Sequence, residues 1–115
     1  MQTITKEALK EKLERGDNLV VVYVLSPESF MKARIKGSIN IPLEDLKEQA
    51  PTVLPDKDKE IIVYCANFEC TASPSAGKAL EEMGYTNIVD YEGGIKDWIE
   101  AGYPTESGPP KISED

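Results

Sequence analysis

The stretch Ile61-Ile62-Val63-Tyr64, followed by Cys65, a loop and then Ser73-Pro74-Ser75-Ala76-Gly77-Lys78-Ala79-Leu80-Glu81-Glu82-Met83-Gly84, constrains this chain most. A short β-branched run without polar alternation is the pattern of a strand buried on both faces, which points to a parallel sheet. The run after the loop has helical periodicity and closes on Gly84. Ser73-Pro74 predicts the helix start, with the serine as cap and the proline at the first helical position, where its missing N–H is harmless. Cys65 is then the first residue beyond the strand, at the carboxyl edge of a parallel sheet, where ligands bind. The backbone amides of Ala66, Asn67, Phe68, Glu69, Cys70, Thr71 and Ala72, curled above a helix N-terminus, are expected to form a ring of donors around one anionic atom. A thiolate is such an atom, and a helix N-terminus lowers a cysteine from about 8.5 toward roughly 3.5–7.5. The residues alone leave two readings of Cys65 open: an activated nucleophile, or a small buried hydrophobe that ends a strand.

The rest of the chain alternates strand and helix in the same way. Thr5 caps a helix from Lys6 to about Glu14, with Ala8, Leu9 and Leu13 on one face and Gly16 stopping it. Leu19 to Leu25 is a second doubly buried strand. Ser26-Pro27 opens a short helix reaching about Ala33, and Gly37 to Pro42 reads as a turn and a short strand. Leu43 to Ala50 is a helix with Leu43, Leu46 and Ala50 inward. Asn87 to Tyr91 is a short strand, and Ile95 to Ala101 a final helix with Ile95, Trp98 and Ile99 toward the core. This alternation predicts an α/β fold, a small parallel sheet with helices on both faces. The expected organisation is one domain over residues 1–104, with a polar, proline-bearing flexible tail over 105–115.

Composition narrows the chemistry. The 115 residues carry 21 acidic against 13 basic side chains, a formal net charge of −8, and no histidine. Nucleic acid and anionic membrane are therefore not expected partners, since both need clustered Lys and Arg. The longest apolar run is too short to span a bilayer, and the N-terminus lacks the charged-then-apolar form of a secretory leader, so a cytoplasmic location is expected. Without histidine there is no Cys-His or Ser-His-Asp arrangement, and two thiols alone do not complete a zinc site, so no metal or cofactor is expected.

Taken together, Val63-Tyr64-Cys65, the loop and helix to Gly84-Tyr85, Asn87-Ile88-Val89 and Tyr91-Glu92-Gly93-Gly94-Ile95-Lys96-Asp97-Trp98 resemble the single-domain rhodaneses, which are sulfurtransferases. Gly37-Ser38-Ile39-Asn40-Ile41-Pro42-Leu43 resembles the segment before their third helix, and the likeness covers about residues 3–105. It implies a rhodanese-like sheet of about five strands. It also implies that Cys65 attacks the outer sulfur of a sulfane donor (thiosulfate, a polysulfide or a persulfide, including a protein-bound one) and passes that sulfur to a thiol or cyanide. The loop amides would hold both the thiolate and the anionic persulfide.

Three departures from the family pattern matter. Tyr23-Val24-Leu25 stands where an Asp-x-Arg is common, Arg34 where a histidine is common, and the loop carries Phe68 and Glu69 where many members have an arginine. Loss of the loop arginine speaks against thiosulfate and for a polysulfide or persulfide donor. Arg34 is the remaining candidate for a substrate contact near the mouth. Rhodanese-like phosphatases place an arginine six residues after the cysteine, but here that residue is Thr71, which leaves phosphoryl transfer without its charge clamp. Cys70 reads either as a resolving thiol, which would make a dithiol redox protein with Cys65, or as a filler packed beneath the loop. A non-catalytic sulfur carrier or regulatory binding module is the reading outside enzymes.

Overall fold

The two β-branched runs lie side by side. In the computed structural model, which describes residues 1–109, the chain forms β1 (Gln2–Thr3), α1 (Lys6–Arg15), β2 (Leu19–Tyr23), α2 (Pro27–Lys32), β3 (Arg34–Ile35) and β4 (Ile39–Asn40). A 3₁₀ turn (Leu43–Asp45) leads into α3 (Leu46–Val53), followed by β5 (Glu60–Tyr64), α4 (Ala72–Glu82), β6 (Ile88–Tyr91), α5 (Gly94–Glu100) and β7 (Thr105–Glu106). Five strands make one sheet in the order β1-β6-β5-β2-β4, and every pairing in it is parallel. The two longest strands, β2 and β5, are neighbours inside the sheet, where their apolar residues are covered on both faces.

Alternation along the strands divides the core in two. Ile61, Val63 and Cys65 of the β5 run face one side with Val22, Ile88 and the inner faces of α3 and α4, through Leu46, Ala50, Ala76 and Leu80. Ile62 and Tyr64 face the other side with Val21, Tyr23, Val89 and Tyr91, covered by Leu9, Phe30 and Trp98. Local rules account for two helix starts: the Thr5 hydroxyl accepts from the Ala8 amide and the Ser26 hydroxyl from the Ser29 amide, each at 3.2 Å. Gly16, at φ 74°, closes α1.

Several expectations give way to tertiary packing. Leu43 falls in the 3₁₀ turn and is 37% exposed, while Ile99 is 49% exposed because α5 presents only Trp98 and part of Ile95 to the core. Ala8 lies on the solvent side of α1, leaving Leu9 as its buried residue. The segment from Thr105 does not begin as a loose tail. Thr105 and Glu106 pair antiparallel with Ile35 and Arg34, and the Gly108 amide donates to the Met31 carbonyl at 2.7 Å. Residues 110–115 of the expected tail lie outside the described residues.

Candidate active site

β5 delivers Cys65 to the carboxyl edge of the sheet, on the face that meets α4. What holds it there is the first turn of α5: the Ile95 amide donates to the Cys65 carbonyl and the Lys96 amide to the Ala66 carbonyl, both at 2.9 Å. Gly94, at φ 68°, makes this approach feasible, since a Cβ there would sit 2.5 Å from the Cys65 carbonyl oxygen and 2.6 Å from the Ala66 carbonyl carbon.

The loop from Ala66 to Thr71 does not present all its amides inward. The Glu69 amide donates to the Asn67 side-chain carbonyl at 2.9 Å and the Cys70 amide to the Asn67 backbone carbonyl at 3.1 Å. The short side chain of Asn67 folds back on its own loop, as asparagine does in turns, and those two amides are removed from the expected ring. Phe68 stands at the tip, 70% exposed, beside exposed Glu69. A cleft of about 340 Å³ next to the loop is lined by Asn67, Phe68, Glu69, Lys96, Asp97 and Glu100, and neither sulfur lines it.

The two thiols are arranged differently from expectation. Cys65 is 1% exposed, and its Sγ donates to the Ser73 hydroxyl oxygen at 3.4 Å. Burial pushes this thiol up from its ordinary value and the Cys70 thiol adds to the rise, while the Ser73 hydroxyl and amide pull the other way. Cys70 is half-buried. Burial raises it too, but the Cys65 thiol and the Ala66 and Ala72 amides outweigh that and hold Cys70 below the usual thiol range. Cys65 thus rests as a covered thiol whose hydrogen bond goes to the Ser73 hydroxyl.

Ser73 is not the helix cap. Thr71 occupies that position without a side-chain cap bond, Pro74 falls within the first turn, where amides have no intrahelical partner, and the Ser73 hydroxyl is turned inward to the thiol. Arg34 does not line the loop. Its guanidinium donates to the Phe30 carbonyl at 3.1 Å and the Gly108 carbonyl at 2.8 Å and stacks on the Phe30 ring, because the β3–β7 ribbon closes over it. It is buried and serves to tie the segment after β7 to α2.

One site residue escapes the sequence reading altogether. Asp90 pairs in register with Val63, so its side chain shares the face of Cys65 and Ser73, and it is 2% exposed with Oδ1 lacking any hydrogen-bond partner among the described residues. Its only sequence signal is a carboxylate in the apolar run Ile88 to Tyr91. Burial pushes its carboxyl up, partly offset by the Ser73 hydroxyl, and Glu92 adds to the rise. A carboxyl raised in the fold binds its proton more tightly folded than unfolded. Its contribution to stability is therefore full below the ordinary carboxylate range, about pH 4, and lost as pH rises through the raised value. Relative to wild type, Asp90→Asn should gain stability steadily from acid to neutral pH in thermal melts. A difference that does not vary with pH would show that Asp90 keeps an ordinary carboxyl in the fold.

A family model described as a rhodanese-like domain matches residues 5–101. The thiosulfate sulfurtransferase PspE of Escherichia coli is 42% identical over 74 residues, 62% of this chain and 65% of that protein. The thiosulfate:glutathione sulfurtransferase of Saccharomyces cerevisiae is 29% identical over 89% of this chain and 81% of that protein. Among solved structures, a rhodanese-related protein of Thermoplasma volcanium superposes with a TM-score of 0.77 at 36% identity, covering 91% of this chain and 97% of that one. The chain spans 46% to 65% of the length of three of the curated relatives it matches. With the family pattern running through nearly all of its sheet and helices, the chain belongs to the rhodanese-like domain family.

Proposed function

We propose that this chain is a sulfurtransferase that moves sulfane sulfur from a donor to a thiol or cyanide acceptor through a persulfide on Cys65. The observation that carries the reading is the position of Cys65: the strand-end cysteine of a rhodanese-like domain, at the carboxyl edge of a parallel sheet with its carbonyl clamped by α5. A covalent intermediate divides one difficult transfer into two displacements at sulfur. Because Cys65 is covered at rest, loading requires the 66–71 loop to move, and a loop with its tip in solvent can do so.

Relatives named for thiosulfate favour that donor. The loop favours a less charged one, since residues 66–71 bring exposed Glu69 and no basic side chain. A polysulfide or organic persulfide is the donor this chemistry fits best, with thiosulfate the weaker substrate.

A second reading has its own observation. Cys70 is the more accessible thiol and the one held below its usual value, which suits a resolving role: it attacks the inner sulfur of the Cys65 persulfide, hydrosulfide leaves, and a Cys65–Cys70 disulfide remains. Intact mass after loading with polysulfide separates the two. A gain of one sulfur mapped to Cys65 supports transfer, and a loss of two hydrogens supports the dithiol cycle. A mass unchanged in both respects overturns both.

A further inference from the structure

We infer that Asp90, acting through the Ser73 hydroxyl, holds the proton that Cys65 gives up and takes back during sulfur transfer. The inference rests on the sulfurtransferase reading above. Cys65 touches the Ser73 hydroxyl oxygen as a donor, so Ser73's own proton is free to point onward. Asp90 shares the face of the sheet that α4 covers: strand register puts it there, it is buried, and one of its oxygens has no partner among the described residues. A buried carboxylate with an unpartnered oxygen is expensive to keep, and nothing in the packing of the sheet calls for one beside Ile88 and Val63.

The groups facing Asp90 explain why a single proton is shared. Cys70 comes from the loop, Ser73 from α4 and Glu92 from just beyond β6, and Cys65, at the end of β5, shares the same face of the sheet. β1 contributes uncharged Thr3 in register, and the Met1 ammonium that packs along α4 is held by Glu81. No cation is among these neighbours. A further negative charge beside an ionised Asp90 is therefore disfavoured.

The cycle balances on these atoms. In loading, the Cys65 proton passes to Ser73 Oγ as Ser73 passes its own to the Asp90 carboxylate. Cys65 sulfur attacks the outer sulfur of a persulfide R–S–SH, the donor S–S bond breaks, and R–S⁻ leaves with the electron pair. In discharge, an acceptor thiolate attacks the outer sulfur of Cys65–S–SH, the Cys65 sulfur leaves with the pair, and the proton returns from Asp90 through Ser73, giving the acceptor persulfide. A buried thiol with a high proton affinity departs slowly unless protonated, and an acid that holds its proton above the usual carboxylate range suits that task. Asp90 touches no substrate, so it is a positioning residue for the Cys65 proton.

The test is single-turnover loading and discharge of the full chain with an organic persulfide, followed by intact mass and peptide mapping across acid to mildly alkaline pH. Asp90→Asn and Ser73→Ala should each slow both steps at neutral pH by at least about tenfold. Asp90→Asn should also remove the acid limb of the loading profile, and Asp90→Glu should restore part of the rate. Asp90→Asn loading at the wild-type rate or faster overturns the inference, since that is what deleting a charge that merely repels the thiolate would do. If Asp90→Asn fails to fold by circular dichroism, Ser73→Ala carries the test alone, and a wild-type rate in that variant overturns the relay. Wild type that takes up no sulfur overturns the sulfurtransferase reading itself, and the relay with it.

Discussion

Cys65→Ser is expected to lower sulfur transfer by about a thousandfold or more, the scale seen when a covalent nucleophile is removed. A serine at 65 fits the same space and can still donate to Ser73, so the fold should persist and thermal melts should barely move. What disappears is the atom able to form a persulfide, because a hydroxyl oxygen does not accept sulfane sulfur in a reversible bond. Cys70→Ser is the informative partner. If Cys65 loads directly, this variant keeps transfer to within a few fold, since Cys70 then takes no part in the chemistry and its half-buried place accepts a serine. If Cys70 resolves the persulfide, hydrosulfide release stops while the Cys65 persulfide accumulates. Turnover in Cys65→Ser above about a tenth of wild type would remove Cys65 from the mechanism. Steady-state transfer to cyanide and to a small thiol, from both polysulfide and thiosulfate, reads all of these outcomes.

The second large effect belongs to Gly94→Ala. Gly94 sits at positive φ with its hydrogen against the Cys65 carbonyl, and the missing Cβ would lie 2.7 Å from the Asn67 amide nitrogen as well as against the atoms of Cys65 and Ala66. Left-handed backbone costs a non-glycine residue about 1–3 kcal/mol, and overpacking adds a similar amount. The expected loss is about 2–4 kcal/mol, or roughly 10 °C or more in Tm for a domain of this size. The strain falls on the two hydrogen bonds that anchor the root of the loop, so transfer activity should drop by at least about tenfold even where the variant is folded. Gly102→Ala is the control: it too has positive φ, but nothing lies within 4 Å of its added Cβ. It should lose stability through backbone strain alone and keep its activity. Equal activity losses in the two variants would show that the contact with the Cys65 carbonyl is not what matters.

Local patterns in the chain were enough to find the sheet and the cysteine. Two β-branched runs, the Thr5 and Ser26 caps and the Gly16 stop each express a short-range preference that no distant contact opposes, and each appears as read. The same rules misjudge Ser73, whose hydroxyl meets Cys65 from eight residues away, and Leu43 and Ile99, whose periodicity points inward while no neighbouring element covers them. Arg34 shows the same limit, because its carbonyl partner at Gly108 lies 74 residues along the chain.

What the sequence by itself determined, then, is a parallel α/β sheet with Cys65 where its central strand meets a loop, since burial on two faces and helix punctuation are written in consecutive residues. The tertiary structure alone decided the state of that sulfur. Asn67 withdraws two amides from the ring, packing covers Cys65, and Asp90 arrives from another strand on the same face of the sheet. Proton affinity depends on which groups surround an atom in space, and strand register and loop folding, not neighbours in the chain, bring those groups together.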